Sequence, residues 1–225
     1  MNTRSFLLIL ILWRVFTACE CQTCPPDEIP GQKDSCTFAG EKHFIDGYSP
    51  LDSVGHLQAV IEIPAGTNEK WEVNKTTGNI EWEKKNGHYR VVSYLAYPVN
   101  YGLIPQTLLP EVAGGDGDPL DVLVLGPAVD RGSVVPCKLI GVLYLTDTGE
   151  QDDKLIALMK GTPFEGIETL DELEENFPGV LSILRIWFTN YKGKGILDSK
   201  GFGNKEEALT ILQTAIDAYS LKTDE

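Results

Sequence analysis

Short apolar runs, each cut off by Gly, Pro or Asp, fill the chain from Leu57 to Met159, and helical spacing appears only after Thr169. This order constrains the fold more than composition does. Residues 57–64 predict a strand carrying one acid, Glu62; residues 70–74 and 79–84 alternate about Thr77-Gly78, a hairpin signal. Asn86-Gly87 marks a second hairpin, leading into a strand over Tyr89–Tyr97. Asp121–Leu125, Ser133–Leu145 and Lys154–Met159 are Val/Leu/Ile-rich, as in a closed or sandwiched antiparallel sheet. Thr169 with Glu172 forms a capping pattern, while Pro178–Tyr191 and Lys205–Leu221 carry helical spacing. Strands first and helices last argue for an α+β fold: a small closed antiparallel β-barrel, OB-like, with flanking hairpins and C-terminal helices.

The N-terminus reads differently. Arg4, the apolar run Phe6–Trp13, Arg14 and the small pair Thr17-Ala18 predict a signal peptide over residues 1–18, too short for a comfortable membrane span. Residues 19–53, rich in Pro, Gly, Asp and Cys, predict an irregular arm, followed by one globular domain over 54–225. Cys19, Cys21, Cys24 and Cys36 crowd behind the leader, and two accounts stay open. Phe16-Thr17-Ala18-Cys19 resembles a lipoprotein cleavage box, which would put a lipid on Cys19 and make it the chain's only membrane contact. Otherwise simple cleavage leaves the four thiols to form two disulfides, with three connectivities. Either account places the mature protein outside the cytosol, periplasmic or extracellular. A net charge of −14 argues against nucleic acid as a partner, because little positive charge is available to displace phosphate counterions. Such a protein can still bind an anion when metal ions sit between them.

Gly114-Gly-Asp-Gly-Asp-Pro-Leu-Asp-Val122 places Asp116, Asp118 and Asp121 just ahead of an apolar run. Three crowded carboxylates repel one another, and a hard divalent cation relieves that repulsion with its preference for oxygen. Asp, Gly and Pro are also what solvated turns are made of. A calcium loop of the EF-hand kind fails in detail, for its sixth position is Asp121 rather than Gly and its twelfth is Pro127 rather than Glu. A second acidic cluster, Asp147 to Lys154 with Asp152 and Asp153, shifts the weight to a metal site.

Asp-Gly-Asp-Pro-Leu-Asp-Val resembles the signature of family I soluble inorganic pyrophosphatases. Glu62-Ile-Pro, Lys70-Trp-Glu72, the Asn100-Tyr101-Gly102 turn, Asp147 through Lys154, and Trp187 to Lys192 resemble the same family's further motifs in order. The resemblance implies hydrolysis of pyrophosphate, with Mg2+ as cofactor and a metal-activated water in direct in-line attack. It implies Asp116, Asp121 and Asp152 as ligands of the tight metal, with Asp121 also facing a second, Asp147 and Asp152 for a metal arriving with substrate, and Glu62 with Glu72 for a further one. Asp118 would orient or deprotonate the water; Lys70, Arg90, Tyr101, Lys154, Tyr191 and Lys192 would grip phosphate oxygens. For the family's arginine, bacterial-length members align Lys84, whereas Lys84-Lys-Asn-Gly-His-Tyr-Arg90 resembles the fungal and animal branch and points to Arg90, whose guanidinium can take two oxygens at once. Phe177-Pro-Gly-Val180 and Trp187-Phe resemble that branch too; the resemblance implies a homo-oligomer, a dimer or a hexamer, and these features favour the dimer. Two rivals remain: a non-catalytic calcium- or magnesium-binding barrel, and a broader phosphatase acting on nucleotides or polyphosphate.

Overall fold

The structure, a computed structural model, describes residues 32–34, 36–109 and 117–223. The expected leader, Cys19, Cys21, Cys24 and Asp116 lie outside them. The strands are β1 (Gln32–Asp34), β2 (Thr37–Phe38), β3 (Leu57–Ile63), β4 (Trp71–Val73), β5 (Ile80–Trp82), β6 (Lys84–Lys85), β7 (His88–Tyr89), β8 (Asn100–Leu103), β9 (Asp121–Leu125), β10 (Val134–Asp147), β11 (Glu150–Gln151), β12 (Lys154–Met159) and β13 (Leu197–Gly203). The helices α1 (Leu170–Asn176), α2 (Val180–Asn190) and α3 (Lys205–Thr223) come after β12. The mixed α+β class agrees with the sequence; the expected order of strands first and helices last is corrected by β13, which falls between α2 and α3 and pairs with β10.

The main sheet runs β11-β10-β12-β9-β8-β3, and β10 also bonds β3, so the pairings form a circuit of five strands. The 14-residue β10 makes this geometry available. Cys137 pairs with Leu57 and Met159 on opposite edges of β10; further along, Val142 pairs with Leu155 and Gly203. The expectation of a wholly antiparallel sheet is corrected here, since β9 and β12 run parallel, from Asp121↔Lys154 to Leu125↔Leu158. A circuit of five strands cannot alternate direction at every step, so one pair must be parallel. The intervening β10 supplies the long crossover that a parallel pair needs.

Strands of this sheet are buried on both faces. Leu123, Leu143 and Ile156 join one apolar cluster with Trp187 and Phe188 of α2, while Val122, Val142 and Leu155 join another with Leu212 and Ala215 of α3. A smaller sheet, β1-β2-β5-β4, packs beside it. Phe44 and Ile45 are buried in the first cluster, so the chain contributes to the core well before residue 54, where the sequence reading began the domain. Of the strand expected over Tyr89–Tyr97, Tyr89 alone lies in a strand, β7, which pairs with Lys84–Lys85 around Asn86 and Gly87, while Val91 makes an isolated bridge to Glu69. Both turn residues have positive φ, 54° and 80°, as a tight hairpin turn requires. Asn100-Tyr101-Gly102, expected as a turn, is instead the fully buried β8. Gly102 permits this: a Cβ there would lie 1.8 Å from the Val60 carbonyl oxygen.

Thr169 caps α1 as expected, its hydroxyl accepting from the Glu172 N–H. No helix among the described residues is long and apolar enough to cross a membrane.

Candidate active site

A cleft of about 320 Å³ opens where the small sheet, the hairpins and the main sheet meet. Register does much of the placing. Asp121 begins β9 opposite Lys154 at the start of β12, and it also pairs with Leu103 of β8, two residues from Tyr101. The preceding acidic turn is tied down by the Thr107 hydroxyl, which accepts from Leu120 N at 2.9 Å, and by Leu109 N donating to the Asp118 carbonyl at 2.8 Å. In the second cluster Asp153 turns inward, accepting from Leu145 N at 3.0 Å. Its neighbour Asp152 turns Oδ1 to the Lys154 ammonium, and both carboxylates line the cleft.

Lys154 is the electrostatic centre of this wall. Its side chain is only 3% exposed; its ammonium donates to Asp152 Oδ1 at 2.6 Å and to Asp121 Oδ2. Burial lowers an ammonium's pKa, yet here Asp121 and Asp152 more than reverse that, and Lys154 stays charged. Burial raises the pKa of Asp152 against the pull of Lys154. Glu62, fully buried, accepts from Val73 N at 2.7 Å; burial pushes its carboxyl up to about 8 despite nearby Lys70.

The opposite wall carries Lys70, 13% exposed and 3.8 Å from the half-exposed Glu72, together with Arg90, which donates to Glu83 at 2.6 Å. Tyr101 lies between the walls, with the Lys70 and Lys154 ammonium groups 5.3 and 5.8 Å from its ring centre. Burial, and then the Asp121 charge, hold its hydroxyl protonated. At the end of α2, Tyr191 stacks on Trp187 at 4.7 Å and Lys192 pairs with Asp147. Glu62, Lys70, Glu72, Arg90, Tyr101, Asp118, Asp121, Asp152, Lys154, Tyr191 and Lys192 therefore line one cleft, and Asp147 reaches it through Lys192. Lys84 does not line it; its ammonium lies 4.7 Å from the centre of the Tyr89 ring.

Among the described residues, no three His, Cys, Asp or Glu side chains stand close enough together to hold a metal ion. The donor chemistry nevertheless fits a hard divalent cation. The donors are carboxylate oxygens throughout, and Asp121 and Asp152 already converge on one positive charge, that of Lys154.

Residues 59–220 match the model of the family described as inorganic pyrophosphatase. The chain belongs to the inorganic pyrophosphatase family. It is 38% identical over 172 residues to an inorganic pyrophosphatase of Helicobacter pylori, covering 72% of this chain and 91% of that protein. An inorganic pyrophosphatase of Campylobacter jejuni is 34% identical over 178 residues, with 75% and 94% covered. Among solved structures, the type I inorganic pyrophosphatase of P. falciparum superimposes with a TM-score of 0.70 at 30% identity, covering 76% of this chain and 61% of that one.

Several groups of this pyrophosphatase cleft escape motif reading. Lys75 pairs with Asp118, and Glu83 holds Arg90. Tyr97, buried under the cleft 5.6 Å from the Tyr101 ring, has its hydroxyl pushed up to about 12 by burial. Single charges and one tyrosine in an apolar run give no spacing to recognise.

Proposed function

We propose that this chain is an inorganic diphosphatase that hydrolyses pyrophosphate to two phosphates with Mg2+. The observation that carries the reading is the cleft's double character. Seven carboxylates share it with Lys70, Arg90, Lys154, Lys192, Tyr101 and Tyr191. A bare cation site has no use for phosphate-gripping groups, and a bare anion site would not gather the acids.

Asp121 and Asp152, with Asp116, would hold the tight metal, and Asp147, Glu62 and Glu72 would serve further ions. Magnesium supplies charge neutralisation of the polyanion and lowers the pKa of the attacking water. Asp118, at the cleft mouth, takes that water's proton. Lys70, Arg90 and Lys154 orient the two phosphoryl groups so that attack on one phosphorus is in line with the departing phosphate. Arg90, Lys192 and the protonated Tyr101 and Tyr191 hydroxyls then meet the charge that develops on the leaving oxygens.

Reading the sheet as a small closed OB-like barrel is supported by β10 pairing with both β12 and β3. Membership of the longer fungal and animal branch is supported by Arg90, which enters the cleft where Lys84 does not. A dimer would cover the face on which Leu95, 71% exposed, adjoins α2 with its exposed Ile183 and Ile186. Export, with or without a lipid on Cys19, rests on residues 1–19.

The test is phosphate release by the purified chain lacking residues 1–18. Release from pyrophosphate but not from nucleoside triphosphate, dependent on magnesium, is expected. Asp118→Asn should lower kcat by about 10²–10⁴, the usual weight of general acid–base catalysis. No release from pyrophosphate would sink the reading.

A further inference from the structure

We propose that Glu83 is a positioning residue for Arg90, an inference that rests on the pyrophosphatase reading above. Arg90 Nη1 donates to Glu83 Oε2 at 2.6 Å, and both side chains are 23% exposed. Arginine offers five N–H donors in a rigid fork, so one bond to Glu83 fixes the fork's direction and leaves donors for phosphate oxygens.

The backbone brings the two together. Between them the chain runs out through β6 and back through β7, and Arg90 N closes the excursion by donating to the Glu83 carbonyl at 2.8 Å. Lys70 completes the arrangement: its N–H donates to the Arg90 carbonyl at 3.0 Å, and its own carbonyl accepts from Glu83 N at 2.9 Å. Three residues from three stretches of chain are thus joined in a ring. Trp82 Nε1 adds a second donor to the Arg90 carbonyl at 2.9 Å.

Behind this ring the aromatic neighbours stack. Trp71 lies on Trp82 at 5.5 Å and Trp82 on Tyr89 at 4.8 Å. Residues next to one another in extended chain face opposite ways. With Trp71, Trp82 and Tyr89 committed to the stack, Lys70, Glu83 and Arg90 are turned into the cleft. A carboxylate there repels a polyanion and costs affinity unless it serves another purpose. Holding Arg90 is that purpose.

The test uses Glu83→Gln and Glu83→Asp, each in the wild-type and Arg90→Ala backgrounds. The readouts are steady-state kinetics on pyrophosphate, magnesium titration and thermal midpoint. Glu83→Gln should lower kcat/KM about tenfold, the weight of one charge-assisted hydrogen bond, with the loss on kcat and the midpoint held. Glu83→Asp should recover part of it. In the Arg90→Ala background Glu83→Gln should change kcat/KM by less than about twofold, because coupled residues are not additive. An equal loss in both backgrounds, or a shifted magnesium half-saturation, would make Glu83 a metal ligand and overturn the proposal; so would undiminished activity. If the wild type is active and Arg90→Ala is impaired while Glu83→Gln is not, the positioning role alone fails. A wild type that releases no phosphate removes both readings.

Discussion

Asp121 and Lys154 are register partners in a five-pair parallel ladder, whereas Lys70 and Arg90 adjoin strands of only two or three residues. On the first wall the ladder sets the carboxylates: β9 and β12 are buried between two cores, and a slip of one residue would turn every side chain to the wrong face. On the second wall strands this short carry little stiffness of their own. Placement there comes from side-chain contacts, the Glu83 ion pair and the stack behind it. Asp121 and Asp152, like charges held close about Lys154, thus sit on the stiff wall, and Lys70 and Arg90 sit on a wall braced by its own side chains.

That contrast can be broken from either side. Asp121→Asn strikes the stiff wall at the carboxylate proposed to face the metal; kcat should fall by about 10³ or more, several kcal/mol of barrier, with little change in secondary structure by circular dichroism. Lys154→Met should act on stability as well. It leaves Asp121 and Asp152 facing each other without their counter-charge, at a cost of about 3–5 kcal/mol in urea unfolding that added magnesium partly restores. On the braced wall Arg90→Lys should lower kcat/KM only about tenfold, since one charge remains while the fork is lost. Lys84→Ala should leave it within about twofold, and the reverse ranking would move the phosphate site to Lys84. Outside both walls, Thr169→Ala removes the α1 cap and should cost about 1 kcal/mol with kcat unchanged.

The sequence made the stiff wall's chemistry legible because its carboxylates come in two local clusters, each with its own spacing. It did not show that Asp121 faces Lys154, 33 residues away, since that pairing is decided by tertiary register. Asn100 to Gly102 misled for a related reason. Asn and Gly are turn formers, but here the Asn100 amide is spent on buried backbone, accepting from Ala65 N and Val129 N and donating to the Pro127 carbonyl. The bare Gly102 backbone, for its part, fits against Val60. Over Tyr89–Tyr97 the apolar alternation is real, yet Val91, Tyr94 and Leu95 are exposed, and only Tyr89 and the isolated bridge at Val91 pair. The braced wall was legible in Lys70, Glu72 and Arg90. Glu83 could not be seen, because nothing local marks one acid among 33 Asp and Glu as the partner of a particular arginine.

The stack of Trp71 on Trp82 has an optical consequence. The chain has four tryptophans, and the form lacking residues 1–18 keeps three of them, without Trp13. Trp71 and Trp82 back the Arg90 side of the cleft, and the third, Trp187, lies under Tyr191 on the other. Tryptophan emission from that shortened form therefore originates beside the cleft. Ligand entry can be followed in the native chain without a label, and the two coupled indoles give a near-ultraviolet dichroism band that reports the braced wall separately.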